Sequence, residues 1–227
     1  MEKCTAKNAL AAGILCAAMF AAVSFQVLFN MHVTWRLPFA AQLVLLVVTC
    51  WLVLIPTVLF MRRDKTTARD IGFAKDKIPQ QVLVGAGLGI ATSGAVIFVP
   101  HLIGLSGFFF DYSAEGMQPW HAAFGFARHM LGVAVAEEIA FRGYLFKKLL
   151  DVKNSRRFAT AVSSAVFGLF HVFHFSLQQI IFATLLGIMW CVFRLKIKHC
   201  SLLALIFAHG IHNSLLPVFV AVLHCVV

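Results

Sequence analysis

Seven apolar stretches dominate this 227-residue sequence and limit the folds open to it. They run roughly over residues 9–30, 37–61, 81–105, 122–146, 158–174, 176–194 and 201–225. A bilayer core of about 30 Å is crossed by about 20 apolar residues in an α-helix. Because 61% of the residues are hydrophobic and 12% are charged, a water-soluble globular protein is excluded. We therefore predict an all-α polytopic membrane protein with about seven transmembrane helices, of which the fifth and sixth are short.

The basic residues predict how the chain is oriented. Most of the 19 Lys and Arg residues precede helix one or follow helices two, four and six, and only Arg36 lies in a loop on the other side. Since short loops rich in Lys and Arg stay in the cytoplasm, we predict the N-terminus inside and the C-terminus outside. The net charge of +10 then reflects topology. No nucleic-acid partner is expected, because the basic residues do not gather beside aromatic residues on one soluble face.

The first apolar run has a short basic start, as a signal peptide does, but it extends over about twenty residues. That length exceeds the apolar region of a typical signal peptide and predicts a membrane helix. The six cysteines show no C-x-x-C spacing. We interpret them as small buried hydrophobic residues rather than disulfide partners or metal ligands.

Two adjacent carboxylates, Glu137 and Glu138, lie inside the fourth apolar stretch. One ionised residue at the centre of a membrane helix costs about 3 kcal/mol, so such residues usually mark a functional site. Glu138 and Arg142 are spaced i,i+4 and are expected to pair on one helical face. Glu137 lies about 100° away and is a candidate general base facing a cavity. The alternative is a packing clasp formed by all three residues.

Further polar residues converge on the same depth from two other helices. At 1.5 Å rise per residue, Glu137, His171, His209 and Asn213 all lie about 12–20 Å from the basic side. His209 and Asn213 share one helical face, a pair suited to holding an oxyanion. His174 and His212 are expected to be supporting or interfacial. The site is thus predicted on the fourth, fifth and seventh helices, with residues 1–121 as scaffold and residues 122–227 as the catalytic part of one membrane domain.

Three motifs then match a family pattern in order. They are Glu-Glu-x-x-x-Arg at Glu137, Glu138 and Arg142, Phe-x-x-x-His at Phe167 and His171, and His-x-x-x-Asn at His209 and Asn213. Residues 122–216 resemble the CAAX protease and bacteriocin-processing (CPBP, or Abi) family of intramembrane endopeptidases, which includes the type II CAAX prenyl endopeptidases.

The resemblance implies hydrolysis of a peptide bond within the membrane. Glu137, helped by His171, would activate water, while His209 and Asn213 would stabilise the oxyanion and Glu138 with Arg142 would support them. The implied partners are the lipid bilayer and a membrane-embedded, prenylated or otherwise lipid-modified peptide or protein. The expected location is a bacterial cytoplasmic membrane, with cleavage near the inner leaflet. Oligomeric state and substrate identity do not follow from the sequence.

Zinc is the chemical alternative within this family. Glu137, His171 and His209 together would make a three-ligand site with an open position. The sequence lacks His-Glu-x-x-His, and an amide among the polar groups suits an oxyanion better than a zinc shell. We therefore expect a glutamate mechanism that uses no cofactor.

Other classes of membrane protein stay open as alternatives. The Gly104-Leu-Ser106-Gly107 sequence matches the short pattern of rhomboid-like serine proteases. Intramembrane Glu and His residues also serve as proton relays, but the sequence shows no inverted repeat of the kind that transporters carry. A noncatalytic bacteriocin-immunity protein with the same fold is the third alternative.

Overall fold

The computed structural model describes residues 2–105 and 118–226, in which all regular secondary structure is helical. These residues form seven helical segments, numbered here in chain order. They are α1 (Glu2–His32), α2 (39–63), α3 (Ile78–Leu102), α4 (119–152), α5 (156–174), α6 (Leu177–Lys196) and α7 (Leu202–Val226). The all-α prediction is confirmed, and the segments lie close to the seven predicted stretches.

Three of the segments change helical type along their length. In α2, the 3-10 turn Thr49–Val53 joins two α-helices, and in α5 the helix Arg156–Leu169 tightens into the 3-10 turn Phe170–His174. Segment α4 is the most irregular. Its three α-helical parts, Pro119–Ala127, Val135–Glu137 and Phe146–Val152, alternate with two π-helical parts, Arg128–Ala134 and Glu138–Leu145.

Five helices are long and apolar enough to cross a membrane, counted over the described residues. They correspond to α1, α2, α3, α6 and α7. Large apolar side chains such as Leu83, Leu102 and Leu185 are more than half exposed on the outside of the bundle, where lipid would cover them. The chain is an integral membrane protein. The predicted count of seven spans is not confirmed, since the broken α4 and the short α5 do not meet the criteria of length and apolarity.

A polar cluster ties three helices together at one end of the bundle. Asp64, just after α2, accepts hydrogen bonds from Tyr144 Oη at 2.8 Å and from Lys148 Nζ at 2.6 Å in α4. Asn8 in α1 donates to the backbone oxygen of Asp151 at 3.1 Å. The start of α1 therefore lies beside the ends of α2 and α4. We call this the basic end, because the Lys- and Arg-rich segments gather there.

Arg194 fastens the loop between α2 and α3 to the helical bundle. Its guanidinium donates to the backbone oxygen of Arg142 and, at 2.9 Å, to that of Ile71. Gly72 has a φ of +100°, and a Cβ there would collide with this guanidinium. Arg194 lies in the last turn of α6 and is turned inward, so it supports α4 rather than marking topology alone.

Two glycines allow α3 and α7 to touch along their backbones. A Cβ on Gly85 would collide with the backbone oxygen of Ala204, and one on Gly89 would approach that of Ala208 to 2.7 Å. Small residues four apart permit this kind of close helix crossing in membranes. Because His209 directly follows Ala208, the crossing also fixes the depth and direction of the α7 polar face.

Candidate active site

One cavity of about 640 Å³ lies within the bundle and is enclosed by every helix except α3. The structure places four of the predicted site residues in its wall: Glu137, His171, His209 and Asn213. Glu138 and Arg142 lie behind the wall, in the protein interior. The three motifs, which are far apart in sequence, thus meet around one space.

The cavity extends from the level of Glu137 away from the basic end. Asn30 lines it from the far end of α1, Trp35 from the 3-10 turn Thr34–Arg36 that follows, and Gln179 from the start of α6. Each of these positions is remote from the Lys- and Arg-rich segments. Cleavage near the inner leaflet stays a prediction.

The backbone around the adjacent glutamates is unusual. The single α-helical turn Val135–Glu137 lies between the two π-helical parts of α4, and Glu138 begins the second of them. Wide π turns are rare and occur frequently at functional sites. Here they displace α4 from regular helical geometry exactly where its carboxylates must diverge toward different surroundings.

Glu138 and Arg142 form a buried ion pair. Arg142 Nη1 lies 3.3 Å from Glu138 Oε1, and the side chains are 1% and 0% exposed. The guanidinium also lies over the ring of Phe167, with Cζ 3.9 Å from the ring centroid. Glu138 Oε2 and the guanidinium nitrogens have no hydrogen-bond partner among the described residues. Removing either charge would leave the other buried and uncompensated.

Glu137 occupies a different environment from its neighbour. Its side chain is 26% exposed, whereas that of Glu138 is fully buried. The exposure is toward the cavity, which Glu137 lines and Glu138 does not. The carboxylate of Glu137 is thus accessible to a water molecule or substrate, while that of Glu138 is reserved for contacts within the protein.

His209 lies between the two glutamates. Its Nδ1 is 2.8 Å from Glu138 Oε1, and its Nε2 is 3.7 Å from Glu137 Oε2. Since a carboxylate paired with Arg142 accepts hydrogen bonds, Nδ1 is assigned the proton. Nε2 is then directed toward Glu137 and the cavity. In the singly protonated ring Nε2 accepts a proton, and in the doubly protonated ring it donates a hydrogen bond.

His171 and Asn213 complete the cavity wall. His171 lies in the 3-10 turn that ends α5, and its Nδ1 is 3.0 Å from the backbone oxygen of Phe167. A proton on Nδ1 satisfies that carbonyl and leaves Nε2 as the acceptor nitrogen of the ring. Asn213 lies one helical turn beyond His209 on α7 and brings an amide to the same space.

Sequence reasoning missed the residues that hold the histidines in place. Trp190 in α6 is 1% exposed, and its ring stacks on His209 with a centroid distance of 6.3 Å and packs edge-on against His212. His212 Nδ1 lies 3.1 Å from Thr92 Oγ1, so α3 also contributes. Trp190 is thus a packing residue. The expectation for His174 concerns a side chain that lies outside the described set.

The zinc alternative requires three donor side chains that lie close enough to bind one metal ion. Among the described residues, no three His, Cys, Asp or Glu side chains converge as ligands of one metal ion would. Glu137, His171 and His209 share a cavity wall without forming such a group. Metal dependence stays a prediction, and the chemistry proposed below uses no metal. The rhomboid-like pattern continues into residues 106–117, which lie outside the described residues.

Comparison with known proteins adds one match. Residues 119–215 match the family model described as type II CAAX prenyl endopeptidase Rce1-like. A search of the curated proteins and of the solved structures found no match. The matched segment contains all three motifs, which confirms the resemblance found in the sequence. Residues 119–215 are thus similar to the CAAX-type endopeptidases that this family model describes.

Proposed function

Because residues 119–215 carry the Rce1-like family signature, we propose that this protein is a metal-independent endopeptidase that uses Glu137 to activate water. The single observation that supports this most strongly is the position of His209 between two inequivalent glutamates. Glu138 is buried and bound to His209 and Arg142, whereas Glu137 faces the cavity. Such a division supplies one carboxylate for chemistry and one for orientation.

In the first step, water in the cavity attacks the carbonyl carbon of the scissile peptide bond. Glu137 accepts a proton from this water, and the acceptor nitrogen of His171 orients it. The carbonyl π electrons move to oxygen and produce a tetrahedral oxyanion. The Asn213 amide and Nε2–H of His209 donate hydrogen bonds to that oxyanion.

This role requires His209 to carry two protons, because Nδ1–H is already donated to Glu138. Its ring nitrogens lie 2.8 Å from Glu138 Oε1 and 3.7 Å from Glu137 Oε2. Arg142 in turn neutralises Glu138, and Trp190 holds the imidazole plane. Glu138, Arg142 and Trp190 are thus positioning residues, since they act through His209 rather than on the substrate.

In the second step the tetrahedral intermediate collapses. The electron pair on oxygen re-forms the carbonyl, the C–N bond breaks, and Glu137 returns its proton to the leaving amine. The products are a new carboxylic acid and a new amine, and the enzyme recovers its starting protonation state. The acid then loses its proton to the amine or to solvent. No oxidant, metal or cofactor enters this balance.

The shape of the cavity supports a particular side of access. We propose that the basic end lies in the cytoplasm, which places the cavity in the outer half of the membrane. The substrate is then a membrane-embedded or lipid-anchored peptide whose scissile bond reaches the cavity from that half. The apolar side chains among the lining residues suit a substrate delivered from the bilayer.

The reaction is tested by incubating purified protein in liposomes with single-span membrane peptides in H₂¹⁸O. Mass spectrometry is expected to find paired products, with one ¹⁸O in the new carboxylate. Cleavage is expected to continue in the presence of a zinc chelator. Activity that is lost with the chelator and restored by zinc would contradict the metal-independent mechanism, and unlabelled carboxylate would contradict direct attack by water.

A further inference from the structure

A proline lies inside α7 on the face that forms the cavity wall. The residues of this helix that line the cavity are His209, His212, Asn213, Leu216 and Pro217. Their positions follow the i, i+3, i+4, i+7, i+8 pattern of one helical face. The face that carries the proposed oxyanion donors therefore continues past Asn213 to Pro217.

Pro217 leaves one backbone oxygen of this face without its usual helical donor. In an α-helix, each N–H donates to the carbonyl oxygen four residues earlier. Pro217 has no N–H, so it cannot donate to the backbone oxygen of Asn213. Ser214, the hydroxyl residue of α7, donates to the backbone oxygen of Gly210 at 2.6 Å instead. Because Asn213 and Pro217 both line the cavity, the released oxygen between them lies on the cavity face.

A released carbonyl is costly at membrane depth unless another donor reaches it. A substrate can supply that donor. In an extended chain, the N–H and the carbonyl of one residue point to the same side. In the mechanism proposed above, the Asn213 amide and Nε2–H of His209 hold the oxygen of the attacked carbonyl. The N–H of the substrate residue that carries this carbonyl then also faces α7, where the backbone oxygen of Asn213 can accept it.

We propose that the backbone oxygen of Asn213, released by Pro217, accepts a hydrogen bond from the N–H of the substrate residue just before the scissile bond. This inference rests on the proposed function and adds a specificity determinant to it. The residue before the cut must carry an N–H, so proline is excluded from that position of the substrate. Asn213 binds the substrate directly, and Pro217 is a positioning residue because it keeps the Asn213 oxygen free.

The test compares a membrane peptide that the protein cleaves in liposomes with an ester analogue. In the analogue, an oxygen replaces the N–H of the residue just before the scissile bond. Loss of one neutral hydrogen bond is expected to lower kcat/KM for cleavage at the original bond by about 3- to 10-fold. An ester placed one residue earlier is the matched control and should be cleaved like the parent peptide, since alternate residues of an extended chain face opposite sides.

Variants of the protein separate the missing N–H from the shape of the proline ring. Pro217→Ala restores an N–H that donates to the Asn213 oxygen, so the parent peptide and its ester are expected to have equal kcat/KM. Lactic acid incorporated at position 217 has the methyl group of alanine but an ester oxygen in place of the N–H, and it should keep the wild-type preference. Pro100→Ala, inside α3 and away from the cavity lining, should also keep it.

Equal cleavage of the parent peptide and the ester by folded wild-type protein would overturn this hydrogen bond and leave the endopeptidase intact. A preference that persists in Pro217→Ala would overturn the assignment of the Asn213 oxygen as the acceptor. Loss of the preference with lactic acid at position 217 would also overturn it, because the proline ring rather than the missing N–H would then be responsible. If the wild-type protein cleaves no peptide, the proposed function fails and this inference fails with it.

Discussion

The Nδ1 atom of His209 lies 2.8 Å from Oε1 of Glu138, whose side chain is fully buried. This contact joins a carboxylate that never reaches the cavity to an imidazole that does. It fixes which nitrogen of His209 carries the resident proton and directs the other nitrogen toward Glu137. The adjacent glutamates therefore act on the same histidine from opposite sides.

Replacing Glu138 by Gln should disturb the orientation of His209 without disturbing the binding of the substrate. The amide removes the carboxylate that orients His209 through Nδ1, so kcat is expected to fall by about 10²- to 10⁴-fold, as when a catalytic histidine loses its orienting carboxylate. KM for a cleaved peptide should change little, because Glu138 does not line the cavity. Steady-state kinetics measure both values, with Asp151→Asn at the basic end as the control. An unchanged kcat would refute the positioning role.

The ion pair between Glu138 and Arg142 predicts a pattern in stability. Arg142→Met alone removes one of the two cationic partners of the buried Glu138 carboxylate and is expected to cost about 3–5 kcal/mol. The double variant Glu138→Gln with Arg142→Met removes both charges and should recover much of that loss while staying inactive. Denaturant unfolding in detergent measures the free energy of unfolding of the wild-type protein, the two single variants and the double variant. Additive losses in the double variant would show that the two side chains do not interact.

Asp64 predicts how the basic end responds to acid. Burial raises the pKa of its carboxyl, but hydrogen bonds from Lys148, Tyr144 and Arg63 together lower the pKa by more than burial raises it. The pKa therefore falls from 3.8 to about 2. A carboxyl whose pKa is lower in the folded state than in the unfolded chain stabilises the fold at any pH above its unfolded-state pKa. This stabilisation is lost as the pH falls from about 4 to about 2. The Tm of the wild-type protein should drop over that interval.

The matched variants are Asp64→Asn and Asp76→Asn, the second at an exposed position in the same loop. Asp64→Asn is expected to lower the Tm at neutral pH and to remove part of its acid dependence. Asp76→Asn should keep the wild-type profile. Identical pH profiles for Asp64→Asn and the wild-type protein would contradict the role given to Asp64.

The side of the cavity is open to a labelling experiment. In a protein whose native cysteines are replaced, Gln179→Cys places a thiol in the cavity and Lys153→Cys places one at the basic end. A membrane-impermeant maleimide should label the first in intact cells and the second only after the membrane is opened. The reverse pattern would show that the basic end is outside.

Much of the architecture could be predicted from the sequence, because the bilayer imposes a length on apolar helices. The same regular rise predicted that Glu137, His171 and His209 would lie at similar depth. The i,i+4 spacing of Glu138 and Arg142 likewise predicted their pairing, since neighbouring turns of a helix meet.

Features that depend on packing between helices could not be predicted. The π turns of α4 arise from its surroundings, and no residue pattern in the sequence marks them. Trp190 and Arg194 look like lipid-facing and loop residues in one dimension, yet they stack on His209 and hold the backbone of Arg142. The direction in which the cavity extends depends on which helices lie apart from one another. The spacing of apolar residues along the sequence does not contain this information.

The most direct test of the central claim is the cleavage rate of Glu137→Gln. The variant keeps the size of the side chain and removes the base, so kcat is expected to fall by about 10²- to 10⁴-fold while peptide binding persists. Glu2→Gln, at the start of α1, is the matched control and should cleave at the wild-type rate. Wild-type kcat in folded Glu137→Gln protein would contradict the assignment of Glu137 as the base that activates water.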